Sequence, residues 1–262
     1  RRAEDCNEGR RHVLDLNADL GESFGTWTKG DDAAMFPLVT SASVACGMHA
    51  GDPVTMLDTC RAAYELDVNV GAHIGYPDLA GFGLRSLDMT FDDLFGAVLY
   101  QLGALDGVAH AVGASVDYVK LHGALYDRTV HDVEQASAVI AAIQAYDPGL
   151  PVLGFPGSAL LEIAKEAGHP VFSEAFADRA YFPDGTLVPR TEEGAVILDA
   201  GQVAERAVRL ATKGEIEAVD GTVLRVEPQS LCLPADTPGS VATAAAIRAA
   251  LEAAGVELES FA

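Results

Sequence analysis

Lys120 and His122 alternate with apolar residues in Tyr118-Val119-Lys120-Leu121-His122, so an extended chain projects both from one face. A buried lysine is costly unless a carboxylate pairs with it or its pKa falls. This pattern therefore marks either a working site or a structural ion pair. From the first strand come Asp15, Asn17 and Asp19, again at period two, with Glu22 just beyond; the plainer reading of these is turn formers and a cap. His49 lies between Gly47 and Gly51, and His73 follows Gly71-Ala72. Asp19, Glu22, His49, His73, Lys120 and His122 are thus the candidate catalytic residues, a set of acids, imidazoles and an ammonium suited to proton transfer. Asp19 with His49, His73 or His122 can also hold one divalent metal, since imidazole and carboxylate from different strands suit zinc or manganese, although nothing in the spacing demands it.

Substrate binding falls to a second group. Asn17, Asp52, Tyr76, Arg85, Asp178, Arg179 and Asp236 occupy or adjoin the same segments. Asp52 precedes Pro53 and reads first as a helix N-cap. Arg85 is the sole cation between Arg61 and Lys120, which suits an anion anchor or a charge-pair partner. Arg179, with Tyr181 and Arg190 beyond it, suits a grip on a carboxylate, while Asp178-Arg179 also reads as a loop stitch. No GxSxG elbow, phosphate loop, HExxH helix or zinc-type Cys/His spacing occurs.

Positioning these groups requires strands that end together. Apolar, β-branched runs at 13–19, 39–46, 68–73, 116–122, 151–155, 170–174 and 230–233 alternate with helical periodicity at 53–66, 91–112, 133–146, 158–167, 202–212 and 241–254, the pattern of βα units around a parallel sheet. Periodicity alone leaves a doubly wound sheet and a closed barrel open. Carboxylates stand after the first strand, where a dinucleotide fold needs a glycine cradle, which tips the reading to a barrel. The polar residues cluster at the carboxyl ends of the strands, the face where barrel enzymes carry their sites. Residues 13–262 read as one domain and residues 1–12 as a frayed polar leader.

Composition narrows the function. A chain of 262 residues with 49% hydrophobic content buries a large core, and a net charge of −22 repels nucleic acids and anionic lipids. Such acidity also fits solubility at high salt. Cys6, Cys46, Cys60 and Cys232 form no secreted-type framework and read as reduced thiols. Residues 94–116 carry Asp106, His110 and four glycines, so they read as core helix and not as a membrane span. The leader has no apolar export segment, which predicts a cytoplasmic protein.

Taken together, Asp15-Leu16-Asn17-Ala18-Asp19-Leu20-Gly21-Glu22, Ala45-Cys46-Gly47-Met48-His49-Ala50-Gly51-Asp52-Pro53, Gly71-Ala72-His73 with Tyr76-Pro77-Asp78, Lys120-Leu121-His122-Gly123-Ala124-Leu125-Tyr126 and Phe176-Ala177-Asp178-Arg179 closely resemble the LamB/YcsF family over nearly the whole chain. The resemblance implies an α/β fold, an incomplete TIM-like barrel of seven strands of the glycoside hydrolase/deacetylase type. It also implies ATP-driven hydrolysis of 5-oxoproline, a small lactam, to glutamate, together with two other oxoprolinase subunits that handle the ATP. Departures fall at Pro234-Ala235 before Asp236, where the family usually has His-Gly, at Ser43 for asparagine and at Leu84 for arginine. Two other readings of the same residues are a metal-dependent deacetylase-like hydrolase and a lactam-binding subunit without catalysis.

Overall fold

A computed structural model describes residues 12–235 and 237–262. The expected leader, save His12, and the candidates Cys6 and Asp236 lie outside the described residues. The strands are β1 (Val13–Leu20), β2 (Ser41–Ala45), β3 (Asn69–Ile74), β4 (Tyr118–Leu121), β5 (Val152–Gly154), β6 (Val171–Phe176), β7 (Glu215–Glu217), β8 (Val223–Arg225), β9 (Ser230–Leu233) and β10 (Glu257–Leu258). The helices are α1 (Asp32–Met35), α2 (Pro53–Glu65), α3 (Phe91–Val112), α4 (Gly123–Arg128), α5 (Val133–Tyr146), α6 (Ala159–Ala167), α7 (Ala200–Lys213) and α8 (Ser240–Ala253).

Strands β1 to β6 pair in parallel in sequence order, β6 pairs with β9, and β9 returns to β1. The ring is therefore closed, and it is incomplete only in having seven strands. All seven expected strands and six long helices are present, with ends moved by one or two residues at most places. The antiparallel β7–β8 hairpin, the short β10 beside β1 and the helices α1 and α4 had no periodic signal, because each is too short to show one.

In β1 the alternation sorts the side chains: Leu14, Leu16, Ala18 and Leu20 are buried against the helix layer, while Asp15, Asn17 and Asp19 share the opposite face. Parallel barrels usually read as apolar runs because both faces are covered. Here the interior face is polar and satisfies itself. Asp15 accepts from the hydroxyls of Thr40 and Ser41, each at 2.6 Å, and from Ser230. Tyr118 and Ser43 share a hydroxyl contact of 3.0 Å. Gly71 admits the Tyr118 ring, since a Cβ there would lie 2.2 Å from it. At the amino ends of the strands, Phe261 packs on Tyr118 and Phe172, with ring centroids at 5.0 and 4.7 Å, and stops the barrel from below.

The outer layer is held by apolar helix faces. Helix α3 buries Leu94, Val98, Leu102 and Leu105, at about 1.5–3 kcal/mol for each fully buried leucine or valine. Its 22 residues do not make a span: no helix among the described residues is long and apolar enough to cross a membrane. Buried Gln101 on the same helix binds the backbone N–H and carbonyl of Gly75 at 3.1 and 3.0 Å, tying the loop after β3 in place. Cys46, Cys60 and Cys232 are buried free thiols, as expected.

Asp52 caps α2, accepting from the backbone N–H groups of Val54 and Thr55 and from the Thr55 hydroxyl, and it also accepts from Gly25 N–H. The Thr55 hydroxyl and Gly25 N–H hold its carboxyl down at about 2. The depressed pKa means that the cap stabilises above the usual aspartate range and is lost as pH falls from about 4 towards 2. Asp52→Ala is expected to lower stability by about 1 kcal/mol at neutral pH. Denaturant titrations at neutral and acidic pH should show the wild-type advantage shrinking with acid; an unchanged difference overturns the assignment.

Candidate active site

Three histidines meet at the carboxyl ends of β2, β3 and β4. His49 follows β2, His73 is the fifth residue of β3, and His122 follows β4 directly. His49 and His122 stack with centroids 3.9 Å apart, and His73 meets both edge-on at 5.4 and 4.9 Å. Two glycines make the stack possible. A Cβ on Gly75 would stand 2.7 Å from His49 Nδ1, and one on Gly83, at φ +66°, would stand 2.8 Å from the His122 ring. Phe82 closes the outer side edge-on to His49 and His122, and its carbonyl lies 2.8 Å from His122 Nε2.

Glu22, two residues past β1, turns its carboxylate into this group. Its Oε1 lies 3.6 Å from His122 Nδ1, 3.8 Å from His49 Nε2 and 4.0 Å from His73 Nε2. Burial, reinforced by the neighbouring imidazoles, keeps His49 well below the usual histidine range and pulls His122 down to about 3. Both rings are therefore neutral at physiological pH. Among the described residues, neither ring nitrogen of His49 has a hydrogen-bond partner.

Lys120 lies beside this cluster, in the barrel itself. Its Nζ donates to Asn17 Oδ1 at 2.9 Å and Asp19 Oδ1 at 3.0 Å, and stands 3.1 Å from Glu174 Oε2 and 3.3 Å from Cys232 Sγ. Burial disfavours its charge, yet Asp19, Cys232 and Glu174 outweigh burial and hold its pKa well above the usual range. Burial likewise opposes ionisation of Asp19, but His73 and Lys120 prevail and keep that carboxyl well below the usual range. Asp19 Oδ2 lies 3.4 Å from His73 Nε2, and the side chain is 28% exposed where Glu174 is fully buried. Asp19 is thus the carboxylate of this network that reaches the mouth.

All six residues expected to be catalytic are brought together, with Asn17 among them. Of the other described binding candidates, Asp52, Tyr76, Arg85 and Arg179 turn their polar groups to partners outside this network. Asp52 is the cap described above. The Tyr76 hydroxyl turns into the helix layer and meets Gln135 Oε1 at 3.0 Å. Arg85 donates to both Asp78 carboxylate oxygens, folding its own loop back. Arg179 donates to the Val188 carbonyl at 2.7 Å, and Asp178 is buried beside it in that loop. Asp52, Tyr76, Arg85 and Arg179 read as ligands from residue type and chain position, but each has a protein partner that spacing does not reveal.

Two residues were missed. Glu174 is the buried carboxylate opposite Lys120, and its signal was an acid at an inward position of a strand beside Ala175 and Phe176. Lys29, half-buried, places its Nζ 4.2 Å from the centre of the Phe82 ring, next to the histidines. Its loop carried no periodic signal.

A closed parallel βα barrel with acid, imidazole and ammonium groups gathered at the carboxyl ends of its strands defines the class, a barrel with an acid–base site at its mouth. The chain belongs to the LamB/YcsF family, whose model matches residues 14–262. It is 53% identical over 250 residues to a 5-oxoprolinase A-type subunit of Agrobacterium fabrum, covering 95% of this chain and 98% of that one. It is 54% identical to the 5-oxoprolinase A-type subunit of Streptomyces coelicolor, covering 95% and 100%. Among solved structures, the lactam utilization protein of Thermus thermophilus superposes with a TM-score of 0.91 at 44% identity, covering 95% of this chain and all of that one. A putative cellobiose-phosphate cleavage protein of Enterococcus faecalis V583 shares the fold alone, with a TM-score of 0.52 at 13% identity, covering 95% and 97%.

Proposed function

We propose that this chain is the A-type subunit of an ATP-dependent 5-oxoprolinase, and that residues 13–262 act as the unit that holds 5-oxoproline while water opens its lactam ring to glutamate. The observation that carries the reading is buried Lys120, held by Asp19, Glu174 and Asn17 beside three imidazoles and Glu22 at one barrel mouth. The likeness to relatives named as A-type subunits of 5-oxoprolinase supports the choice of substrate.

A lactam is a planar amide. Its hydrolysis needs a positioned water, a positive field for the oxyanion and a proton for the departing ring nitrogen. Asp19 is ionised and reaches the mouth, so it orients water and accepts its proton, with Glu22 as the second carboxylate on the histidine side. Lys120 supplies the positive field, fixed in direction by Asn17 and Glu174. His73, with Nε2 3.4 Å from Asp19 Oδ2, relays the proton that Asp19 takes from water to the departing nitrogen. Lys29, with its Nζ 4.2 Å from the centre of the Phe82 ring, places one cation on the histidine side of the mouth, where a substrate carboxylate can be met.

ATP is hydrolysed with two partner subunits in the cytoplasm. This chain carries no phosphate loop, and its net charge of −22 opposes a triphosphate. The isolated chain is expected to show no micromolar binding of Mg-ATP in calorimetric titration. The chain combined with its two partner subunits is expected to release glutamate from 5-oxoproline with matching ATP hydrolysis. Tight ATP binding by the isolated chain overturns the division of labour, and a combined system without turnover of any small lactam overturns the reading itself.

A further inference from the structure

We propose that Glu22, His49, His73 and His122 form a binding site for one divalent first-row transition-metal ion of the zinc type. One ligand atom from each lies within 4.8 Å of all the others, and all four residues are buried. Four donors at about 2.0–2.1 Å from a tetrahedral ion stand about 3.3 Å from one another. The observed separations straddle that edge: 3.0 Å between His73 Nε2 and His122 Nδ1, and 3.6, 3.8 and 4.0 Å from Glu22 Oε1 to the three rings. Small side-chain rotations bring them to a common centre.

The tautomer of His122 is set from outside the cluster. Its Nε2 lies 2.8 Å from the Phe82 carbonyl, which can only accept, so in the neutral ring Nε2 carries the hydrogen. The Nδ1 lone pair is thereby aimed inward at His73 and Glu22. A carbonyl that fixes one ring nitrogen while the other faces a site is the usual support of a metal-bound histidine.

His49 gives the second, independent sign. It is 0% exposed, and neither ring nitrogen has a hydrogen-bond partner among the described residues. Leaving buried polar atoms unpaired is costly, and such atoms call for a ligand. The ring is stacked on His122, so it must turn slightly for both lone pairs to reach one ion, and it has no hydrogen bond to break in doing so. Lone pairs gathered around a carboxylate repel one another unless a proton or a cation stands among them. The donor set, three imidazoles and one carboxylate, suits zinc, cobalt or manganese over calcium or magnesium. A cation there would add Lewis-acid character next to Asp19, whatever the substrate.

The inference takes the barrel mouth as the reacting end from the preceding reading, but its test needs neither ATP nor lactam. The purified chain, dialysed against a chelator, is titrated with Zn²⁺ by calorimetry and with Co²⁺ by visible absorption. One equivalent is expected to bind below micromolar Kd, with the intense bands of four-coordinate cobalt and a raised thermal midpoint. Glu22→Gln, nearly isosteric, and His49→Ala are each expected to weaken binding by at least ~100-fold, more than loss of a supporting group costs. Circular dichroism of the metal-free variants shows whether they fold, and if His49→Ala does not, Glu22→Gln carries the comparison. Sub-stoichiometric or millimolar binding by the wild-type chain, or equal binding by folded variants, overturns the site. A failed reconstitution with intact metal binding would instead count against the lactam reading alone.

Discussion

Lys120→Met, combined with the partner subunits, is expected to lower lactam-dependent ATP turnover by about two to three orders of magnitude, the cost of removing a preorganised charge from a site that stabilises an oxyanion. The same change is expected to destabilise the fold, because Glu174 is then a fully buried carboxylate without its ammonium. Breaking a buried pair from one side costs about 3–5 kcal/mol. Loss of activity in this variant alone therefore does not separate chemistry from packing. The double variant Lys120→Met with Glu174→Gln separates them, since it removes both charges while the amide keeps the shape and can still accept from Asn17 Nδ2, now 3.2 Å from Glu174 Oε2. Its thermal midpoint is expected to recover most of the loss while turnover stays low. Recovery of turnover together with the midpoint would make Lys120 a structural partner of Glu174, and normal turnover in the single variant would remove the lysine from the chemistry altogether.

The need for that double variant marks the limit of what the sequence conveys. Period-two alternation places Asp15, Asn17 and Asp19 on one face of β1 and Lys120 on one face of β4, and the excess of polar residues at strand ends points to a barrel mouth. Both inferences use only the geometry of an extended chain, and both agree with the positions of these side chains. Which carboxylates meet Lys120 depends on strand order and on the curvature of the sheet, because β5 stands between β4 and β6 and local spacing shows neither. Glu174 was therefore invisible as a partner. The partner of Arg85 was hidden for the opposite reason. That partner, Asp78, is seven residues away in the same loop, and the loop geometry that joins them leaves no periodic trace. His49 lay between these cases. Its flanking glycines pointed to a constrained loop, but the glycines that shape its pocket, Gly75 and Gly83, come from the segment after β3.

Asp19→Asn is expected to lower kcat by about two to four orders of magnitude, the usual contribution of a positioned general base, with KM within a few-fold of wild type. The substitution keeps the volume of the side chain and leaves an amide oxygen for Lys120, which also retains Asn17 and Glu174. Because Asp19 is the partly exposed member of the network, the thermal midpoint is expected to move little. This contrasts with Lys120→Met, where activity and stability fall together. The split between kcat and KM decides the role. A rise in KM at unchanged kcat would mean that Asp19 only holds the substrate, since interactions made equally in ground and transition states alter KM alone. That result would favour a lactam-presenting subunit with its chemistry elsewhere in the complex. An unchanged kcat and KM would move proton transfer to Glu22 and the histidines. A fall in kcat alone places the attacking water at Asp19, on the open side of the barrel, where the substrate carbonyl can lie between that carboxylate and the Lys120 ammonium.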